Sequence, residues 1–191
     1  MIAVVDYGAG NLRSVCNALD LFGHSYRIAT TPGGLNDANG IILPGVGHFG
    51  SMMRSLNESG MATGLQAEAA ESTPLLGICL GMQALFDSSE EAPGVAGLCL
   101  FNGEVRRFPF DMRVPHMGWN EVLFQDGERE DFYFAHSFYA PIGPHTAGWT
   151  EYGGLPFSSI VWNGNVSGVQ FHPEKSGGSG LTHLEAWCRQ C

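Results

Sequence analysis

Four short strand-like runs, residues 2–7, 26–29, 41–43 and 75–79, alternate with segments whose apolar residues recur every three to four positions. Leu12, Val15, Cys16, Leu19 and Phe22 fall on one face of a helix that Asn11 is placed to cap and Gly23 to stop. Helices over residues 49–56 and 61–71 precede the fourth run, and residues 82–88 are predicted helical after it. Strands that alternate with helices demand a parallel sheet with helices on both faces. After residue 95 the texture changes to short strands with turns between them, at 105–108, 121–124, 132–139, 147–152, 158–162 and 166–171. Asn163-Gly164 marks a hairpin between the last two, and residues 181–188 form a closing helix. The fold class expected is α/β, a mainly parallel central sheet flanked by helices with an additional antiparallel strand region in the second half. No repeat, linker or low-complexity tract divides the chain, so residues 1–191 are expected to form one domain.

Charge narrows the partners. Nineteen acids stand against nine bases, the net charge is -10, and Lys175 is the only lysine. No basic stripe exists to neutralise phosphates, which disfavours nucleic acid, so no nucleic-acid partner is expected. The apolar runs are too short to span a bilayer, and no basic segment precedes the first, so neither a membrane span nor a signal peptide is expected. Five scattered cysteines do not form a disulfide framework and point to a reducing cytoplasm. Charged residues make up only 15% of the chain. Such a surface suits either a partner or a polar, neutral exterior.

Chemistry concentrates in two segments. Gly77-Ile78-Cys79-Leu80-Gly81 ends a strand with a cysteine between glycines, the pattern of a nucleophile on a tight strand-to-helix turn. Such a turn lifts Cys79 to the carboxyl end of the sheet beside a helix N-terminus, which favours the thiolate. It also lets the Leu80 N–H face a tetrahedral oxyanion. The bland alternative is a buried cysteine beside packing glycines. Far downstream, His172-Pro173-Glu174 follows a strand, and residues two apart in an extended segment point the same way. His172 would then exchange protons with Cys79, with Glu174 holding the imidazole; the alternative is a surface turn. Cys16 and Cys99 read as packing residues, and Cys188 and Cys191 fall at a tail unsuited to redox chemistry.

Several loops are candidates to complete the site. In Pro44-Gly45-Val46-Gly47 the backbone of Val46 and Gly47 offers a second oxyanion donor. Gly45, Gln83, His136 and Ser137 are candidates for substrate contact. His48 either lines a pocket or caps a helix. His116 sits in an aromatic stretch, residues 114–120, expected to be a compact loop; for it and for His136, ligand binding and tertiary hydrogen bonding are both open. Gly8-Ala9-Gly10 lacks the third glycine of a dinucleotide fingerprint, a phosphate-binding Gly-rich loop is missing, and no metal spacing is found, so no cofactor or metal is expected.

The two chemical segments, extended to Gly77-Ile78-Cys79-Leu80-Gly81-Met82-Gln83 and Gly168-Val169-Gln170-Phe171-His172-Pro173-Glu174, resemble the signatures of class I (triad) glutamine amidotransferases. Asp6-Tyr7-Gly8-Ala9-Gly10-Asn11-Leu12, Pro44-Gly45-Val46-Gly47, Pro115-His116-Met117-Gly118-Trp119-Asn120 and His172-Pro173-Glu174-Lys175-Ser176 resemble, more narrowly, the glutaminase subunits of imidazole glycerol phosphate synthases. The resemblance implies that Cys79 attacks the side-chain amide of glutamine, that His172 and Glu174 carry the proton chemistry, and that ammonia passes to a (β/α)8-barrel cyclase subunit making imidazole glycerol phosphate and an aminoimidazole carboxamide ribotide in histidine biosynthesis. It further implies that the Val46 loop responds to that partner and that Gly10, Asn11, Trp119, Asn120 and Lys175 face it. The alternatives are an amidotransferase subunit of a different synthase, a non-catalytic partner-binding protein of the same fold, and a cysteine hydrolase or deglycase.

Overall fold

The computed structural model describes residues 1–8 and 11–191; Gly10, expected to face a partner, lies outside them. The first half runs β1 (Ile2–Val5), α1 (Leu12–Phe22), β2 (Tyr26–Ala29), β3 (Gly40–Gly45), α2 (Phe49–Glu58), α3 (Met61–Ala70), β4 (Leu75–Cys79) and α4 (Leu80–Ala84). The second half adds β5 (Phe86–Ser89), β6 (Phe101–Arg107), β7 (His116–Phe124), β8 (Arg129–His136), β9 (Phe138–Tyr139), β10 (Thr146–Tyr152), β11 (Leu155–Asn163), β12 (Val166–Val169) and α5 (Gly177–Cys188).

One nine-stranded sheet has the order β2-β1-β3-β4-β12-β11-β10-β7-β8. Its first five strands are parallel, with Val4 opposite Ile42, Ile42 opposite Leu76 and Leu76 opposite Ser167. From β12 onward every pairing is antiparallel. A small second sheet joins β5, β6 and β9. Buried on both faces, the parallel strands read as apolar runs. Successive residues feed opposite cores: Ala3, Val5, Ile41 and Leu43 pack with α2 and α3, while Ile2, Val4, Ile42 and Leu76 pack with α1 and α5. The fold class is the α/β arrangement expected, antiparallel extension included.

Local expectations fail where tertiary partners decide. Residues 82–88 do not form one helix. The Ala84 and Leu85 carbonyls, which a continuing helix would use, instead accept from the N–H groups of Leu98, Leu100 and Phe101, and Phe86 starts a strand opposite Phe101. The stretch around His116 is no loop. β8 offers it a full ladder, from His116 opposite His136 to Leu123 opposite Arg129. The predicted 132–139 strand breaks at Ser137, where the chain leaves β8 and pairs Phe138 with Arg107. Asn11 stands at the N-cap of α1 but makes no side-chain capping bond. The glycine-rich segment after Ser176 is the first turn of α5. Cys99, read as a packing residue, is exposed.

The strand-to-helix turn at Cys79 explains its glycines by contact. A Cβ on Gly77 would lie 2.6 Å from the Gly81 carbonyl oxygen, and one on Gly81 would lie 1.8 Å from that of Leu43. Both obstacles are backbone, so no side chain can move aside. Gly81→Ala is expected to cost about 3 kcal/mol of folding stability or to prevent soluble expression. Urea unfolding measures this, and an unchanged midpoint would contradict the packing argument.

Candidate active site

Cys79 ends β4 and opens α4 at φ +54° and ψ −110°. A positive φ on a non-glycine residue costs on the order of 1–3 kcal/mol and persists only where the surroundings enforce it. Here the enforcing neighbours are β3 and β12, which flank β4 on either side. Gly45 lies opposite Cys79, and the β12 register, continued one residue past Val169, brings Gln170 alongside it.

His172 follows β12, and its turn is clamped onto β8. The His172 N–H donates to the Tyr133 carbonyl at 2.9 Å. Ser176 Oγ accepts from the Tyr133 N–H at 2.8 Å and donates to the His172 carbonyl at 2.6 Å. Phe132 stacks on Phe171 with ring centroids 4.0 Å apart. His172 Nδ1 bonds Glu174 Oε1 at 2.9 Å, with both side chains almost fully buried at 4% and 2% exposure. That leaves Nε2 for the thiol. Burial by itself lowers the His172 pKa. Hydrogen bonds to Cys79 and Glu174, reinforced by their charge, overturn that effect and raise it to about 10. Both partners, the Glu174 carboxylate and the Cys79 sulfur, thus favour the protonated ring.

A cavity of about 330 Å³ opens over this group, a size suited to a small polar molecule. Of the residues expected at the site, Val46, Gly47, Cys79, Leu80, Gln83, His136, Ser137, His172 and Lys175 line it. Gly45 does not; it is buried beneath, against Leu80 and Gly81. Asn11, Trp119 and Asn120 lie off the cavity wall, with Trp119 58% exposed. His48 caps α2, its Nδ1 accepting the Gly50 N–H.

Three residues escaped sequence reasoning. Glu91 lines the cavity and accepts the Phe49 N–H at 2.7 Å, yet in sequence it is half of an ordinary acidic pair. The Tyr7 hydroxyl bridges Val46, accepting its N–H and donating to its carbonyl, both at 3.2 Å. The amide expected to face an oxyanion is thus occupied. Gln170 is fully buried and donates from Nε2 to Cys79 Sγ at 3.7 Å. Its only sequence signal is an amide between two apolar residues. Among the described residues no group of His, Cys, Asp and Glu is arranged to hold a metal, and no helix is long and apolar enough to cross a membrane.

A family model for class-I glutamine amidotransferases matches residues 3–189. The chain belongs to that family. Among its relatives are the imidazole glycerol phosphate synthase subunits HisH of Thermus thermophilus, 46% identical over 95% of this chain and 93% of theirs, and of Moorella thermoacetica, 47% identical over 96% and 92%. The HisH of Methanothermobacter thermautotrophicus is 43% identical over 96% of each chain. Of solved structures, a glutamine amidotransferase superposes with TM-score 0.81 at 20% identity over 100% of this chain and 98% of its own. PurLQS from Thermotoga maritima follows at 0.78 and 21%, over 97% and 95%. At those identities the structures speak for the fold alone.

The amidotransferase site also contains a neutral histidine pair. His136 Nδ1 lies 2.8 Å from the Phe138 carbonyl, so it carries the proton and Nε2 accepts; His116 Nδ1–H then donates to it across 2.9 Å. Burial lowers the His116 pKa to about 4. Burial, with the charges of His116 and His172, lowers that of His136 to about 3 despite the Phe138 bond. Folded values below the unfolded value of 6.5 mean that the unfolded chain takes up more protons. The pair's contribution is present above about pH 6.5 and is lost as pH falls toward 3. Urea midpoints should fall between pH 7 and pH 4.5 by less in His116→Gln, which keeps a donor toward His136, than in wild type. Parallel falls would refute this source of acid sensitivity.

Proposed function

We propose that this chain is the glutaminase subunit of an imidazole glycerol phosphate synthase, hydrolysing L-glutamine to L-glutamate and passing the ammonia to a cyclase subunit. The observation that carries the reading is the buried Glu174–His172 pair, with His172 and the sulfur of Cys79, on its strained turn, both lining one cavity. The Cys79 thiolate attacks the amide carbon of glutamine, and the carbonyl electrons move to oxygen. The N–H groups of Leu80 and Gly47 face that oxyanion. Proton transfer from the His172 imidazolium lets the C–N bond break and ammonia leave. Neutral His172 then draws a proton from water, hydroxide adds to the thioester, and the S–C bond breaks to return the electron pair to sulfur. Glu174 holds the ring throughout. Glu91, His136 and Ser137 shape the glutamine pocket, and Gln83 presents an oxygen to it because its nitrogen is engaged by Phe138 and Gln170.

The partner in this reading is a (β/α)8-barrel cyclase, and the chain works with it in the cytoplasm as one domain of residues 1–191. The 43–47% identity to HisH subunits supports that choice, as do five free cysteines for the compartment. Exposed Met117 and Trp119, with Asn120, Asn11 and Lys175, form the docking side. The Tyr7 bridge keeps the Val46 N–H from the oxyanion, so the isolated chain is slow, and docking releases it.

Two tests address this. Cys79→Ala should abolish glutamate release while still binding the cyclase; undiminished hydrolysis would sink the nucleophile. Tyr7→Phe should raise glutamate release without the cyclase roughly tenfold, because an oxyanion donor is freed. An unchanged partner-free rate would show that the bridge does not hold the enzyme back.

A further inference from the structure

The amide atoms around the sulfur are fixed by chemistry as well as by position. The Phe138 carbonyl oxygen accepts and cannot donate. The Gln83 atom 2.8 Å from it is therefore nitrogen. The second hydrogen of that nitrogen reaches a Gln170 atom 2.9 Å away, which must be the carbonyl oxygen Oε1. What remains on Gln170 is the NH2 group, and it faces Cys79 Sγ at 3.7 Å. Both glutamines are buried, Gln170 completely. The flanking Val169 and Phe171 are buried and apolar. A Met or Leu between them would fill the space without the cost of burying an amide, so the polar group requires a reason.

We propose that Gln170 is a further catalytic residue, whose side-chain N–H stabilises the Cys79 thiolate, and that Gln83 is the positioning residue that keeps nitrogen rather than oxygen turned to the sulfur. The proposal rests on the reading of Cys79 as nucleophile. A donor at sulfur is worth more against a thiolate than against a thiol or thioester. It therefore favours the resting nucleophile and regains its strength when the S–C bond breaks and the electron pair returns to sulfur. The reversed amide would set an oxygen lone pair against the negative charge. The other titratable or charged groups around the sulfur are His172 and Glu174 on the turn after β12, Tyr7 after β1 and His136 on β8, with Glu91 and Lys175 across the cavity. None of them bonds the Gln170 side chain directly; its hydrogen bonds go only to Gln83 and the sulfur.

The test reads the sulfur directly. In the full chain, the pH dependence of iodoacetamide alkylation at Cys79 is followed by mass spectrometry of the Cys79 peptide. Gln170→Met, close in size but without a donor, should move the midpoint up by about one pH unit, with roughly tenfold slower alkylation below it. Gln170→Glu should move it further. An unshifted midpoint in folded Gln170→Met overturns the proposal. Should that variant fail to fold, the Gln170 side-chain amide resonances of the wild type must titrate with Cys79 and shift on its alkylation; flat resonances overturn it equally. The two readings separate cleanly. Loss of glutamate release in Cys79→Ala with an unshifted midpoint in the Gln170 variant sinks Gln170 alone, whereas retained release in Cys79→Ala sinks the nucleophile itself.

Discussion

The parallel pairing of β4 with β12 is the constraint on which the site depends. Four register pairs, from Leu75 opposite Val166 to Ile78 opposite Val169, set two strands far apart in sequence side by side at the middle of the sheet. Everything chemical follows from their carboxyl ends. Cys79 leaves β4 on one side of the boundary, and Gln170 and His172 leave β12 on the other. A slip of one residue would turn alternate side chains to the wrong face, taking the histidine away from the sulfur and the apolar residues away from both cores. One strand further on, between β12 and β11, the sheet changes from parallel to antiparallel, in keeping with the tendency of α/β sites to form near a switch in strand topology.

Around that pairing the structure holds one strained residue and several buried polar ones. Cys79 stays at positive φ because Gly81 lets α4 approach β3 at backbone distance. The polar residues are connected: Asn120 bonds His116, His116 bonds His136, and the Phe138 carbonyl joins His136 to Gln83 and so to Gln170 and the sulfur. Satisfied networks of this kind hold side chains in single orientations, because any flip would leave a buried donor unpaired. At the site, Glu174 Oε2 is buried with no partner among the described residues.

Much of this was legible in the sequence, for identifiable reasons. The parallel strands were readable because burial on both faces makes them uniformly apolar, and the turn at Cys79 because only glycine tolerates backbone at such range. His172 and Glu174 were readable as a pair because an extended segment puts alternate residues on one side. The misread parts share a different cause. Residues 86–89 are a strand because the segment from Leu98 to Phe101 captures the carbonyls before them, and residues 116–120 are a strand because β8 completes their ladder. Neither partner is local. Tyr7 and Gln170 were missed for the same reason: a hydroxyl bridging a distant peptide, or an amide turned nitrogen-first by another amide, leaves no mark in the spacing of residues.

The clamp between the His172 turn and β8 has a consequence for the sheet as an object. β8 is its last strand, and an open edge invites pairing with a strand from another molecule. At Tyr133 both backbone groups are already taken, the carbonyl by His172 and the N–H by the Ser176 hydroxyl. A foreign strand finds no ladder to extend there. The turn that presents the histidine thus also guards this stretch of the β8 edge, so that damage to it would expose an edge as well as disturb the chemistry.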